Sequence, residues 1–385
     1  MGDYMYRDLT KGSITKGLVL FALPMMAGNL LQQLYNIADT LIVGQALGKN
    51  ALAAVGSAYT LMTFLTSIFI GLSMGAGALF SIYLGKNDRD SLKSAIVHAF
   101  GLIISVTIVM NVIVYICVNP ILTFLQVPDE LYGSMKEYII IIFAGLIATS
   151  LYNFFACLLR AVGNSMTPLW FLGTSALLNI GLDMLFVLVF HWEIGGAAAA
   201  TVAAQYVSGI GILIYYLTKC KDFIPNRKHM KWNKVILKEI CDMSMLTCVQ
   251  QSAMNFGILL IQRLVDSFGA VTMAAFAAAV KIDTFAYLPV QDFGNAFSTF
   301  VAQNYGAGKQ ERIREGARKS VLLVLGFCLV ISASVFVFAK QLLLIFVQPY
   351  ETEILAVGIQ YLRIEGVFYF GIGFLFLFYG YYRAV

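Results

Sequence analysis

Apolar positions in this chain fall in long unbroken runs, without the alternation that marks half-buried strands of a soluble domain. Ten runs are long enough to cross a bilayer, which takes about 20 residues. They cover 17–43, 52–83, 94–118, 134–158, 167–190, 195–217, 240–265, 277–304, 316–339 and 355–380. Peptide groups find no water in lipid, so each run is predicted to be a helix. The runs are too long and too continuous for barrel strands. Composition agrees with this reading. Hydrophobic residues make up 59% of the chain and charged residues only 12%, which is too little charge to coat a soluble globule. The sequence therefore reads as an all-α integral membrane protein, and soluble enzymes, nucleic-acid binders and secreted modules are excluded. The first run ends in no small-residue cleavage site and is expected to be a retained helix.

Charge fixes an expected orientation. With a cytoplasmic N-terminus, 20 of the 26 basic residues fall on the inner side, among them Arg7, Lys11, Lys86, Arg89, Arg160, Lys309 and Arg312. Seven of them, Lys219, Lys221, Arg227, Lys228, Lys231, Lys234 and Lys238, crowd one polar stretch after the sixth run. The net charge of +5 is then an orientation signal for a multi-pass protein of the cell (inner or plasma) membrane, with no nucleic-acid partner. Six cysteines without a CxxC spacing suit packing better than metal or redox chemistry. The three histidines, His98, His191 and His229, are far apart, and no histidine-based site is expected.

The basic stretch 218–239 divides the chain into an N-terminal lobe, 1–217 with helices one to six, and a C-terminal lobe, 240–385 with helices seven to ten. The halves resemble each other. Leu84-Gly85 pairs with Tyr305-Gly306, Ala53-Ala54 with Ala274-Ala275, and Pro128 with Pro349, each 221 positions apart. Arg160-Ala161-Val162 recurs as Arg383-Ala384-Val385, and Tyr138 as Tyr361, at a shift of 223. Several matches in order indicate an internal duplication. Six helices separate equivalent positions, so the repeats are expected to be parallel, related by a pseudo-two-fold axis along the membrane normal. By that logic the second repeat lacks its last two helices, eleven and twelve.

Ionisable groups within a membrane span are costly and are functional candidates. Asn29, Gln32, Asn36 and Asp39 recur at steps of three and four on one face of the first helix, above Pro24. Ser175, Asn179 and Asp183 repeat the pattern on the fifth, and Thr201 adds a hydroxyl from the sixth. Two carboxylates with amide and hydroxyl oxygens suit a Na⁺ site on Asp39, Asn179 and Asp183; the same pair is equally suited to share protons. H⁺ and Na⁺ both remain open as coupling ion, and no other cofactor is expected.

Leu34-Tyr35-Asn36-Ile37-Ala38-Asp39-Thr40, followed by Val43-Gly44, resembles the first-helix signature of multidrug and toxic compound extrusion (MATE) transporters, in the DinF-like branch. Arg160-Ala161-Val162-Gly163-Asn164, Leu178-Asn179-Ile180-Gly181-Leu182-Asp183 and Gln303-Asn304-Tyr305-Gly306-Ala307-Gly308-Lys309 are similar to later motifs of that family. The resemblance covers about 12 to 385. It implies two six-helix lobes around a cavity that opens alternately to either side. It further implies a secondary active antiporter that exports amphipathic, often cationic organic compounds in exchange for H⁺ or Na⁺. The family's ion site corresponds to Asp39, Asn179, Asp183 and Thr201, with Tyr138 on the fourth helix. The implied cavity would draw on Gln32, Asn36, Asn153, Phe154, Met184, Asn255 and Asp292. Another branch carries a carboxylate in helix seven, where this chain has Gln250-Gln251.

In the C-terminal lobe, Lys281 is expected to pair across helices with Asp283, Asp292 or Glu365 in a charge-neutral network. Gly71 and Gly75 form a GxxxG that permits close helix contact. A flippase for lipid-linked saccharides, from the same wider superfamily, is the alternative function. Its cavity should be strongly positive, whereas the first-helix stripe is amide and acid. No membrane-enzyme constellation is present, so no catalytic residue is expected. The expected partners are small organic cations or other amphipathic compounds and the bilayer itself, with the protein a monomer.

Overall fold

The computed structural model describes residues 7–124, 127 and 129–385. Pro128 lies outside them, as does the side chain of Ala53. The ten apolar runs fall on helices, two of them interrupted at Gly145 and Phe368. In chain order the helices are α1 (Ile14–Ala46), α2 (Gly48–Gly85), α3 (Arg89–Phe124), α4 (Asp129–Ala144), α5 (Leu146–Ala161), α6 (Met166–Asp183), α7 (Glu193–Lys219), α8 (Lys234–Asp266), α9 (Ala270–Gly306), α10 (Gln310–Leu343), α11 (Thr352–Val367) and α12 (Tyr369–Ala384). A π-helical turn, Met184–Val189, prolongs α6, and two short 3₁₀ turns, Lys221–Phe223 and Arg227–Met230, shape the basic linker. Among the described residues, seven helices are long and apolar enough to cross a membrane, or nine spans if the bent pairs α4–α5 and α11–α12 each count as one; α8, which carries the 240–265 run, is not among them. Large apolar side chains such as Ile116 on α3, Leu177 on α6 and Leu322 on α10 point outward, as a lipid solvent requires.

The bends are local and alike. α4 and α5 meet at 43°, with Gly145 between them, and α11 and α12 at 48°, with Phe368 between them. Asp129 and Thr352, which open α4 and α11, stand 223 positions apart, and so do Gly145 and Phe368. That is the shift read from Tyr138 and Tyr361. All four helices in these pairs are 16 residues long.

The chain forms two compact units, one of Arg7 and Ala27–Ser252, the other of Asp8–Met26 and Ala253–Val385. The division passes within α1, two residues beyond Pro24, and within α8. The core of the first unit includes one cluster around Phe80, Leu92, Phe154 and Leu159 and another around Phe69, Leu122, Ile139 and Phe143. α2 meets the first half of α8 through the GxxxG pair. A methyl on Gly71 would stand 2.8 Å from Cys248 Cα, and one on Gly75 only 2.5 Å from Ser244 Cα. Ser244 Oγ donates to the Leu72 carbonyl at 3.0 Å, and Cys248 Sγ to that of Ile68 at 3.3 Å. The glycines thus serve an intramolecular crossing.

In the second unit, the Ala279, Leu343, Leu362 and Tyr369 cluster forms a core of α9–α12. The Gln303–Lys309 motif and Arg312 hold the segment before α1. Gln303 Oε1 accepts the Leu9 N–H at 3.2 Å, and Asn304 Nδ2 donates to the Leu9 carbonyl at 3.2 Å. Lys309 Nζ reaches the Thr10 carbonyl at 2.8 Å, while Arg312 donates to the carbonyls of Leu9, Lys11 and Gly12. Charge-assisted bonds of this kind are about twice as strong as neutral ones. Arg312→Ala should therefore free the segment. Trypsin cleavage after Lys11 is expected to rise severalfold in the folded protein, and an unchanged rate would contradict this role.

Candidate functional site

Asp39 sits on α1 and Asp183 closes α6. Steps of three and four residues keep Asn36 and Asp39 on one face of α1, and a step of four does the same for Asn179 and Asp183 on α6. The fold brings the two acids together: their carboxyl groups lie within hydrogen-bonding reach of each other. Asp183 is fully buried, and Asn179 is 2% exposed. Asn179 Nδ2 donates to Thr201 Oγ1 on α7 at 3.3 Å, which directs its amide oxygen away from Thr201. Ser175 Oγ donates to the Ala204 carbonyl at 2.8 Å and so ties α6 to α7 one turn along.

The oxygens of this site are short of donors. Asp39 Oδ1, Asn179 Oδ1 and both carboxylate oxygens of Asp183 are buried and receive no hydrogen bond. A buried polar atom without a partner is destabilising. Two carboxyl groups in contact need a proton or a cation between them, because adjacent negative charges repel strongly in a poorly solvating medium. The set Asp39, Asn179, Asp183 and Thr201 offers only oxygens, the donor type that hard cations prefer. The arrangement fits a proton or a small cation.

The other expected positions are dispersed. Tyr138 is 5% exposed within the Ile139–Phe143 core. Gln32 and Asn36 are half-buried on α1, and Asn153 Nδ2 is turned onto the Thr149 carbonyl of its own helix at 2.9 Å. Phe154 is a correction. It was expected at a cavity wall, yet it is 1% exposed and surrounded by the rings of Phe80, Phe100 and Phe155, centroids 5.1–6.0 Å away. Met184 is exposed at the start of the π-helical turn directly after Asp183. Such turns recur at functional sites, and no sequence pattern announced this one.

In the second unit, Asn255 is half-buried on α8 and Asp292 buried on α9. Lys281 is a second correction. Among the described residues it makes no ion pair; it is exposed, with its ammonium 5.7 Å from the centre of the Phe346 ring. Asp283 instead accepts the Tyr369 hydroxyl and lies within hydrogen-bonding reach of Glu365, which Tyr361 approaches in turn. The four-residue spacing of Tyr361, Glu365 and Tyr369 is a signal that would have found this cluster. Arg363, two residues from Glu365, points elsewhere, its guanidinium 5.1 Å from the Phe336 ring centre.

The MatE family model matches residues 24–185 and 247–385, the two stretches that contain these acids. This chain belongs to the MATE family. It is 32% identical to the probable multidrug resistance protein YpnP of Bacillus subtilis over 381 residues, 98% of this chain and 84% of the relative. It is 28% identical to the probable multidrug resistance protein NorM of Thermotoga maritima over 364 residues, 93% of this chain and 77% of the relative. A multidrug resistance MATE family transporter solved in an outward-facing conformation superposes with a TM-score of 0.90, at 22% identity, over 98% of this chain and 84% of that one. The protein is thus a multi-pass membrane transporter of the MATE family and not an enzyme.

Proposed function

We propose that this MATE protein exports amphipathic, often cationic organic compounds across the cell membrane by antiport with H⁺ or Na⁺, its N-terminus in the cytoplasm. The observation that carries this reading is the approach of the Asp39 and Asp183 carboxyl groups in the first unit, whose buried oxygens, like Oδ1 of Asn179 one turn before Asp183, receive no hydrogen bond. Its relatives carry names of multidrug resistance and export proteins, which supports the drug-like substrate class. Coupling requires only that ion and substrate favour different states of the protein. Filling the Asp39–Asp183 site removes its repulsion and changes the packing of α1 against α6. Pro24 leaves α1 one backbone hydrogen bond short, so the change is taken up there, where the helix passes from one unit to the other. The exported compound is then held less strongly.

Efflux of a cationic dye from inverted vesicles, under a pH gradient and then a Na⁺ gradient, tests the reading. Dye export driven by one gradient supports it and names the ion. No movement under either gradient, from folded protein, would favour a flippase for lipid-linked saccharides. A finer expectation concerns Thr201. Thr201→Val removes the acceptor that orients Asn179 and should reduce gradient-driven export severalfold, whereas Thr201→Ser should retain most of it. Equal export from the two variants would remove Thr201 from the site.

A further inference from the structure

We propose that His98 and His229 form a clasp, released by acid, that holds the 218–239 linker and the start of α8 on the end of α3. The two histidines are 131 positions apart, yet both are buried at this one place, at 7% and 5% exposure.

Hydrogen-bond roles define the state of each ring. His98 Nδ1–H donates to the Ser94 carbonyl at 2.8 Å, one turn back on α3. Its Nε2 is then the acceptor, and it takes the N–H of Asn233 at 3.1 Å. Asn233 caps α8: its Oδ1 accepts the N–H groups of Val235 and Ile236 at 3.0 and 3.3 Å. His229 works in the opposite tautomer. Its Nδ1 accepts the N–H of Asn226 at 2.9 Å, and its Nε2–H donates to Asp90 Oδ1 at 3.0 Å. Each ring therefore uses one nitrogen as a donor and the other as an acceptor for a peptide N–H of the linker. Only the neutral imidazole has both. A protonated ring turns its acceptor into a donor aimed at another donor, and the linker contact is lost.

The charged surroundings differ between the two rings. Asp90 from α3 faces His229, and Lys228 binds the same Asp90 oxygen at 2.9 Å. His98 is paired with no carboxylate among the described residues, and the Trp232 ring lies 6.0 Å from it. The elements packed here bring further charges of both signs: Arg89 and Lys93 from α3, Asp222, Arg227 and Lys231 from the linker, and Lys234 and Glu239 from α8, with Glu239 accepting the Tyr83 hydroxyl. A charged His229 ring keeps its bond to Asp90, whereas a charged His98 ring keeps only its bond within α3, so the His98–Asn233 bond is the one whose loss frees the linker. Other contacts also anchor this stretch, among them the Tyr216 hydroxyl on the Phe223 carbonyl, Arg89 over the Phe223 ring and the Tyr83 hydroxyl on Glu239. Histidine is the side chain that changes charge between about pH 5 and 8. The clasp is complete with both rings neutral, at the upper end of that range, and opens as pH falls. With the proposed orientation the signal is cytoplasmic acidity; the clasp itself does not rest on the transport reading.

Hydrogen exchange of the whole protein in lipid nanodiscs, read by mass spectrometry at pH 7.5 and 5.5 and corrected for intrinsic rates, tests the clasp. Peptides covering 224–237 should lose protection about tenfold or more at pH 5.5, while peptides from α10 stay unchanged. His98→Gln keeps an acceptor near the Nε2 position and does not titrate, so it should stay protected at both pH values. His98→Ala should be unprotected at both. Equal wild-type protection at the two pH values overturns the proposal, even if no variant folds. An acid response in His98→Gln as large as in the wild type overturns it as well.

Discussion

Replacing Gly75 with leucine is expected to leave little folded protein. The backbone of α8 runs so close to α2 that even a methyl at Gly75 would stand 2.5 Å from Ser244 Cα and 2.7 Å from the Met243 carbonyl oxygen. These are backbone atoms, which no rotamer change can move aside. An added methylene in a close-packed site costs about 1–3 kcal/mol, and leucine adds several heavy atoms there. Gly75→Ala should lower the melting temperature measurably, and Gly75→Leu should remove most of the monodisperse protein recovered in detergent. Gly101→Ala on α3 is the control, since a methyl there meets nothing within 4 Å. A Gly75→Leu protein that melts with the wild type would show that the α2–α8 crossing is not as close as described.

The second large effect concerns the paired acids. Asp39→Asn and Asp183→Asn should each lower gradient-driven export tenfold or more. An amide in place of either carboxyl supplies a permanent donor to its partner and imitates the filled site, so the site no longer cycles. The double variant should be no worse than either single one, because groups that act as a unit lose function together. Folding should survive, since an uncompensated buried acid is removed and none is created. Export that persists in Asp39→Asn, or losses that multiply in the double variant, would dissolve the pair as a functional unit.

Much of this was legible in the sequence, for physical reasons. Lipid forces apolar spans into helix, so the apolar pattern placed the runs on helices, although α8, which carries the 240–265 run, is not long and apolar enough over any window of its described residues to count as a span. Amide and acid at steps of three and four exposed the faces of α1 and α6 that carry Asp39 and Asp183. Their meeting across helices has no local signal; resemblance to the MATE family suggested it. The GxxxG of α2 could be read as a contact but not assigned a partner. Lys281 was expected beside an acid because a buried cation needs one, yet the helix turns it outward and Asp283 finds Tyr369 instead. Phe154 shows the same ambiguity, since an aromatic ring suits a cavity wall and a core equally. His98 and His229 looked unrelated because only the fold of the linker joins them.

The central claim is that Asp39 and Asp183 hold the cation exchanged for substrate. The most direct test is cation movement driven by substrate in sealed vesicles, with internal pH and Na⁺ followed by dyes and no ion gradient imposed. A substrate gradient should move H⁺ or Na⁺ the opposite way in the wild type and move neither in Asp39→Asn or Asp183→Asn. Substrate movement with no cation flux, or an equal flux in the variants, would contradict the account.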